Sequence, residues 1–160
     1  MVDMNISETL VSYETAKLAK EVGFDIPCGQ FYDSEDSNCD QLEEPNSDGI
    51  FLQQRRSFGM YEIIIENYNN LIDLNGLPLD LPQCASAPTQ SLLQKWLRER
   101  HDIDVWASPY WITSMGKTTK GYETDIVAKK EGRSKRSVGF NTYEEALEAG
   151  LLEALKLIKT

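Results

Sequence analysis

The sequence predicts an α+β fold: an antiparallel sheet of three to five strands with two to three helices packed mainly on one face. Three observations carry this expectation. Apolar residues recur at helical spacing near 88–100 and again near 142–158. Between them lie short segments that alternate or are rich in β-branched and aromatic residues, near 102–113, 122–130 and 134–140. Each amphipathic helix also needs an apolar surface to cover its stripe, and one shared sheet face supplies it. At 160 residues, the expectation is a single domain over 1–160. It comprises an N-terminal helix region (1–30), an acidic loop (33–48) and a helix–strands–helix unit (88–160).

Taken in order, Ser12 can cap a helix from Tyr13 to Val22, with Ala16, Ala19 and Val22 on one side. Gly23 suits the left-handed exit and Phe24 the apolar contact beyond it. Ile26-Pro27 breaks the pattern, and Phe31-Tyr32 starts a short strand. Residues 33–48 read as loop, carrying Asp33, Glu35, Asp36, Asp40, Glu43, Glu44 and Asp48 with no basic residue. Asp36-x-Asn38-x-Asp40 opens like a calcium loop, but Gln41 stands where the turn glycine belongs and Ser47 where the bidentate glutamate belongs. A solvated acidic loop is therefore expected. Residues 50–81 are the least legible. Met60 to Glu66 has a strand-like β-branched run, Asn75-Gly76 marks a turn, and Pro78 and Pro82 keep the next segment irregular.

The second half is clearer. Pro88 suits a first helical turn, and Leu92, Leu93, Trp96 and Leu97 form a stripe with Gln94, Lys95, Arg98 and Glu99 opposite. Asp102 to Ala107 alternates, with Ile103, Val105 and Ala107 on one face and Trp106 on the other. Pro109 interrupts, and Tyr110 to Thr113 reads as a further strand. Tyr122 to Lys130 alternates again, and Ser134 to Phe140 pairs back across a turn at Glu131-Gly132-Arg133. In the last helix Thr142-x-x-Glu145 is a capping box, and Leu147, Leu151, Ala154, Leu155 and Ile158 form the stripe. Glu144, Glu145 and Glu148 sit at the positive end of its dipole, Lys156 and Lys159 at the negative end.

Two blocks carry a resemblance. Ala87-Pro88-Thr89-Gln90-Ser91-Leu92-Leu93-Gln94-Lys95-Trp96-Leu97-Arg98-Glu99, with His101 after it, resembles a block in small uncharacterised proteins of tailed phages and prophages of gut bacteria. The run from Phe140-Asn141-Thr142-Tyr143-Glu144-Glu145 to Leu157-Ile158 resembles their ending, and Ser12 to Lys20 is similar to their start. The resemblance covers roughly half the chain. It implies a phage accessory protein in the cytoplasm of the bacterial host and brings no activity with it.

Composition narrows the function classes. Apolar residues at 41% and charged residues at 26% fit a globular protein rather than a disordered or coiled-coil one. No apolar run approaches a membrane span, and no secretory signal is visible. The net charge is −10, with 16 acidic and 4 basic residues in 1–90 against 10 and 12 in 91–160. Such a charge repels nucleic acid and anionic membrane at long range, though the C-terminal half alone escapes this. Cys28, Cys39 and Cys84, with no C-x-x-C pair and His101 as the one histidine, point to free thiols and to no metal site or cofactor.

Catalytic patterns are thin. A nucleophilic site would have to use His101, which the helix end beside it already accounts for. Met115-Gly116-Lys117-Thr118-Thr119 contains Gly-Lys-Thr, but Trp111 stands where the first phosphate-loop glycine belongs and no helix comes after it. No catalytic residue is assigned, and a non-enzymatic role is expected. The binding candidates are Trp106, Tyr110 and Trp111 for stacking and Lys117, Lys120, Arg133, Lys135 and Arg136 for charge. They suit a nucleotide-like anion, and the sharpest reading is a counter-defence protein that sequesters a nucleotide signal. A second reading is RNA binding. The helix–strands–helix order resembles the double-stranded-RNA-binding domain, and Arg133-Ser134-Lys135-Arg136 is similar to its basic patch. That family's lysines open the final helix, where this sequence has Glu144 and Glu145. A third is an acidic protein-interaction or nucleic-acid-mimic module built on 33–48. The partner expected is a host small molecule or protein, with nucleic acid the less favoured alternative and no membrane involved.

Overall fold

The computed structural model describes residues 8–34, 40–42, 45–47, 49–54, 66–71, 77 and 84–159. It is an α+β protein. Its chain contacts divide into two compact units, one of Val11–Pro88 and one of Met1–Leu10 with Thr89–Thr160.

The first unit begins with α1 (Tyr13–Glu21). Ser12 caps it, its side chain accepting from the Thr15 amide. At the other end the Phe24 amide donates to the Ala19 carbonyl at 2.9 Å, around Gly23 in the left-handed region. Four short strands come next: β1 (Gln30–Asp33), β2 (Asp40–Gln41), β3 (Phe51–Gln54) and β4 (Ala85–Ser86). They form one antiparallel sheet in the order β2-β3-β1-β4. The acidic stretch is thus not loop throughout, since Asp40 and Gln41 pair with Gln54 and Gln53. Phe31 and Tyr68 stack at 4.1 Å between ring centroids beside buried Cys84. Asn69 ties the irregular chain to this core: its Nδ2 donates to the Phe24 carbonyl and its Oδ1 accepts from the Ser86 amide. The predicted strand at 60–66 has only Glu66 among the described residues, bridged to Cys28. The turn at 75–76 and Pro78 and Pro82 lie outside them, as do Asp36, Asn38 and Cys39.

The second unit holds α2 (Gln90–His101), β5 (Ile103–Ser114), β6 (Lys117–Ala128), β7 (Arg133–Phe140) and α3 (Tyr143–Lys159). The strands form an antiparallel sheet in the order β5-β6-β7. Thr89, not Pro88, opens α2; its side chain accepts from the Leu92 amide. The helix ends where Asp102 turns left-handed at φ 60. At α3 the capping box is formed: the Glu145 amide donates to Thr142 Oγ1, and Glu145 Oε2 accepts from the Thr142 amide.

Pro109 does not divide β5. The strand runs unbroken through it, with Pro109 opposite Tyr122. β5 is an edge strand, and there a residue without an amide hydrogen removes no ladder bond when that position faces outward. β6 starts five residues earlier than the alternation suggests. Its first segment pairs with Trp111 to Ser114, and 111–120 are exposed throughout. With no inward face, this ribbon carries no apolar period to read.

The helices cover one sheet face. Ile103, Val105, Thr124, Ile126 and Ala128 are buried, as are Leu93, Trp96 and Leu97 of α2 and Ala146, Leu147, Gly150, Leu151, Ala154 and Leu155 of α3. Gly150 is the point of closest approach: a Cβ there would lie 2.2 Å from Thr124 Oγ1 and 2.7 Å from Val105 Cγ1. At the far end of β7 the register slips beside Tyr122, and Gly139 takes φ 99 as the extra residue of a β-bulge. Among the described residues no helix is long and apolar enough to cross a membrane.

Candidate functional site

Strand pairing sorts the eight candidate residues into three places. Trp111 lies directly opposite Lys120, and Trp106 in a row with Asp125 and Arg136. Successive strand residues point to opposite faces. Val105 is buried on the helix side, so Trp111, Lys120, Arg133 and Lys135 share that side, while Trp106, Tyr110 and Arg136 lie on the open side. Row spacing separates them further. Trp111 and Lys120 lie eight positions along β6 from Ala128, the partner of Arg133, which is about 27 Å of strand. One mononucleotide does not reach both.

The first place is the β5–β6 ribbon. Trp111 is 62% exposed, with exposed Ile112 and Met115 nearby. Lys120 Nζ sits 4.8 Å above the Tyr122 ring, a cation–π contact close to the row of Trp111. Lys117 stands at the turn, where Met115 (φ 49) and Gly116 (φ 75) form a two-residue hairpin connection. This turn is the Gly-Lys-Thr echo of a phosphate loop; a hairpin tip has neither the cradle of amides nor the helix such a loop needs. Between positions 109 and 122 there is no carboxylate.

The second place is the open sheet face. Trp106 is 40% exposed there. Arg136 Nε donates to Asp125 Oδ1 at 2.6 Å, with Glu123 Oε1 3.8 Å from its Nη1, and these carboxylates raise its pKa further. Ser108 Oγ donates to Glu123. Tyr110 lies across Gly121, where a Cβ would meet its ring at 2.8 Å. Arg136 is thus already neutralised, and Tyr110 covers backbone.

The third place lies where the β6–β7 turn meets the C-terminal part of α3. A cleft of about 520 Å³ is lined by Ile126, Gly132, Arg133, Ser134, Lys135 and Leu157. Arg133 Nη1 is 3.5 Å from Glu131, and Lys135 bonds Glu153, whose carboxyl is held below its usual range by Lys135 and Lys156. Sequence reasoning placed no candidate at the adjoining hollow of about 280 Å³, lined by Arg100, His101, Ile103, Ala128, Lys130, Glu131, Leu157 and Ile158. The available signal was the run of cations in the last turn of α2, with Lys129-Lys130 just after the strand. His101 has its pKa lowered by burial first, then by Lys130 and Arg100, and its ring lies 4.5 Å from that of Trp96.

Cys28 and Cys84 are buried thiols outside any disulfide, and burial pushes the Cys28 thiol up to about 11. Among the described residues no group of three or more His, Cys, Asp or Glu is arranged to hold a metal ion. No protein-family model, curated protein or solved structure matches the chain.

Proposed function

We propose that the protein is a non-enzymatic binding protein whose contact element is the β5–β6 ribbon, and that it captures a nucleotide-bearing host molecule. In its sharpest form it is a phage accessory protein of the host cytoplasm that sequesters a nucleotide signal against host defence. The observation that supports this reading most is the pairing of exposed Trp111 with Lys120, near Lys117, on a projecting ribbon free of carboxylates. An aromatic face stacks on a base, and an adjacent ammonium meets a phosphate.

Two measurements test it. Mass spectrometry of small molecules released from purified, heat-denatured protein should find a nucleotide. Tryptophan fluorescence titrated with a mononucleotide or a short oligonucleotide should be quenched through Trp111. Trp111→Ala should lose about 1–3 kcal/mol of binding, as one stacked base does. An unchanged affinity in Trp111→Ala refutes the ribbon as contact element.

A second reading has its own support. The order α2-β5-β6-β7-α3, with both helices on one sheet face, is the topology expected of a double-stranded-RNA-binding domain. Glu144, Glu145 and Glu148 at the start of α3 oppose it, since like charge there repels phosphate. Double-stranded RNA in the same titration separates the two.

A further inference from the structure

We infer that the outer edge of β5, from Tyr110 to Ser114, is a docking surface for the same edge of a second copy of this chain. Hydrogen bonds fix which way the backbone groups of β5 point. Thr124 Oγ1, on β6, donates to the Trp106 carbonyl, so that carbonyl lies toward β6. The Val105 carbonyl faces the other way and accepts from Gln94 Nε2 of α2. Ser114 and Lys117 close the two-residue turn, and such a closing pair exchanges its bonds within the hairpin. Backbone groups alternate in direction along a strand, so the even positions of β5 serve β6 and the odd ones point outward. Pro109, which has no amide hydrogen, falls on an outward position as it must. The amides and carbonyls of Trp111 and Thr113 therefore aim away from β6, and among the described residues nothing pairs with them.

An open strand edge invites another strand, and proteins blunt such edges with charge, proline, cover or shortness. Each other edge among the described residues has one of these. β7 carries Arg133, Lys135 and Arg136, and the outer part of β6 carries Lys117 and Lys120. The inner part of β5 has Gln94 on its carbonyl and then Pro109. β2 and β4 are two residues long. Tyr110-Trp111-Ile112-Thr113-Ser114 has none of these devices and is rich in aromatic and β-branched residues, with Trp111 62% and Ile112 55% exposed. The stretch is also self-complementary. Laid antiparallel on its copy about a twofold axis at Ile112, Trp111 stands opposite the second copy's Thr113, and every outward amide and carbonyl of both residues finds a partner. The register with Trp111 opposite itself sets Thr113 against Pro109 and leaves the Thr113 carbonyl without a donor. Pro109 and the turn at Met115 and Gly116 end the pairing on either side. The β6 strands then lie outermost, about 14 Å apart across three strand spacings, so their lysines are screened from each other at a Debye length of about 8 Å. Five residues from each copy bury less than a standard interface, so the association is weak and depends on concentration. Pairing uses the strand edge and leaves the faces of Trp111 and Lys120 open, so this inference does not rest on the nucleotide reading.

Sedimentation velocity of the full chain over a concentration series tests it. The sedimentation coefficient should rise with concentration from monomer toward dimer and no further, because the twofold axis closes the pairing. Thr113→Pro removes an outward amide and no bond to β6, and it should abolish the rise. Ile112→Lys, which sets like charges face to face at the axis, should do the same. Val138→Lys, exposed on β7, should leave the rise unchanged. Circular dichroism of each variant reports that it is folded. A covalent trap gives a second readout. Ile112→Cys should form a disulfide-linked dimer on mild oxidation, whereas Thr118→Cys, also exposed but on β6, and the unsubstituted chain should not. Quenching of Trp111 by a mononucleotide should persist in Thr113→Pro, so that failure here and failure of the ribbon reading stay distinguishable. A chain that stays monomeric at every concentration overturns the inference and leaves the edge to a strand of another protein. A rise that persists in Ile112→Lys, one lost in Val138→Lys, or equal trapping at 112 and 118 overturns it as well.

Discussion

Replacing Gly150 with alanine should destabilise the protein, although the same change in an exposed helix stabilises it. Gly150 lies inside α3, where alanine is favoured by up to about 1 kcal/mol. Against that stands the approach of the helix to the sheet. The added Cβ would sit 2.2 Å from Thr124 Oγ1 and 2.7 Å from Val105 Cγ1. Neither is the far end of a flexible chain: both atoms sit on β-branched residues of buried strand positions. Overpacking of this kind costs about 1–3 kcal/mol. Pushing Thr124 aside also strains its hydroxyl bond to the Trp106 carbonyl, at 3.2 Å, worth about 1 kcal/mol. The expected net loss is about 1–3 kcal/mol, a fall in midpoint temperature of roughly 5–20 °C for a unit of this size. Urea and thermal unfolding monitored by circular dichroism measure it. Adding Thr124→Ala removes the nearest atom, so the double variant should lose less than the sum of the single losses. An unchanged or raised midpoint for Gly150→Ala alone would show that α3 does not rest on β5 and β6 as described.

Two further perturbations probe the same unit. Leu97→Ala and Leu147→Ala, both buried, should each cost about 2–5 kcal/mol in urea unfolding, and a loss below about 0.5 kcal/mol would mean the helix face is not packed. His101 has a lowered pKa in the folded state, so the unfolded chain binds the proton more tightly. Stability should therefore fall as pH drops below about 6.5 toward the lowered value, with a slope of at most about 1.4 kcal/mol per pH unit. His101→Gln should flatten the profile in that window; Glu153, with its lowered carboxyl, acts only at more acidic pH.

What the sequence disclosed depends on how far each signal reaches along the chain. Local signals were legible: the Ser12 cap, the exit at Gly23, the capping box at Thr142 and Glu145, and the buried stripe of α3. Pro109 misled because a proline's effect depends on whether its strand lies at an edge, which only the pairing reveals. The sheet of the first unit stayed hidden for a different reason. β1 pairs with β3 and β4 across long separations, and β4 is only two residues long. The candidate site shows the same limit. Which of Trp106 and Trp111 faces the helices is set by parity along one continuous β5, and a break at Pro109 would have left it open. Gly150 was visible as a glycine within an amphipathic pattern, but its meaning lies in Thr124 and Val105, which neighbour it only in the fold.

On the proposed reading, charge decides what kind of phosphate compound the ribbon takes. Residues 11–88 carry 14 acidic and 4 basic side chains, whereas 1–10 with 89–160 carry 12 of each. The whole excess of −10 therefore belongs to the first unit. Beyond the Debye length, about 8 Å at physiological salt, an incoming ligand meets only the screened remainder of that negative charge. Within it, a ligand meets the local field of Lys117 and Lys120 on the ribbon. A small phosphate compound fits inside that local field. A long nucleic acid extends past it, over the glutamates at the start of α3, and each further phosphate adds repulsion. The two ligand classes should thus respond oppositely to salt: a small anion bound at the ribbon should weaken as salt rises. A polymer's association should first quicken as the distant repulsion is screened, and only then weaken. Stopped-flow association rates at increasing salt separate these cases, and a rate for long RNA that falls steadily from the lowest salt would show that the acidic excess does not govern the approach.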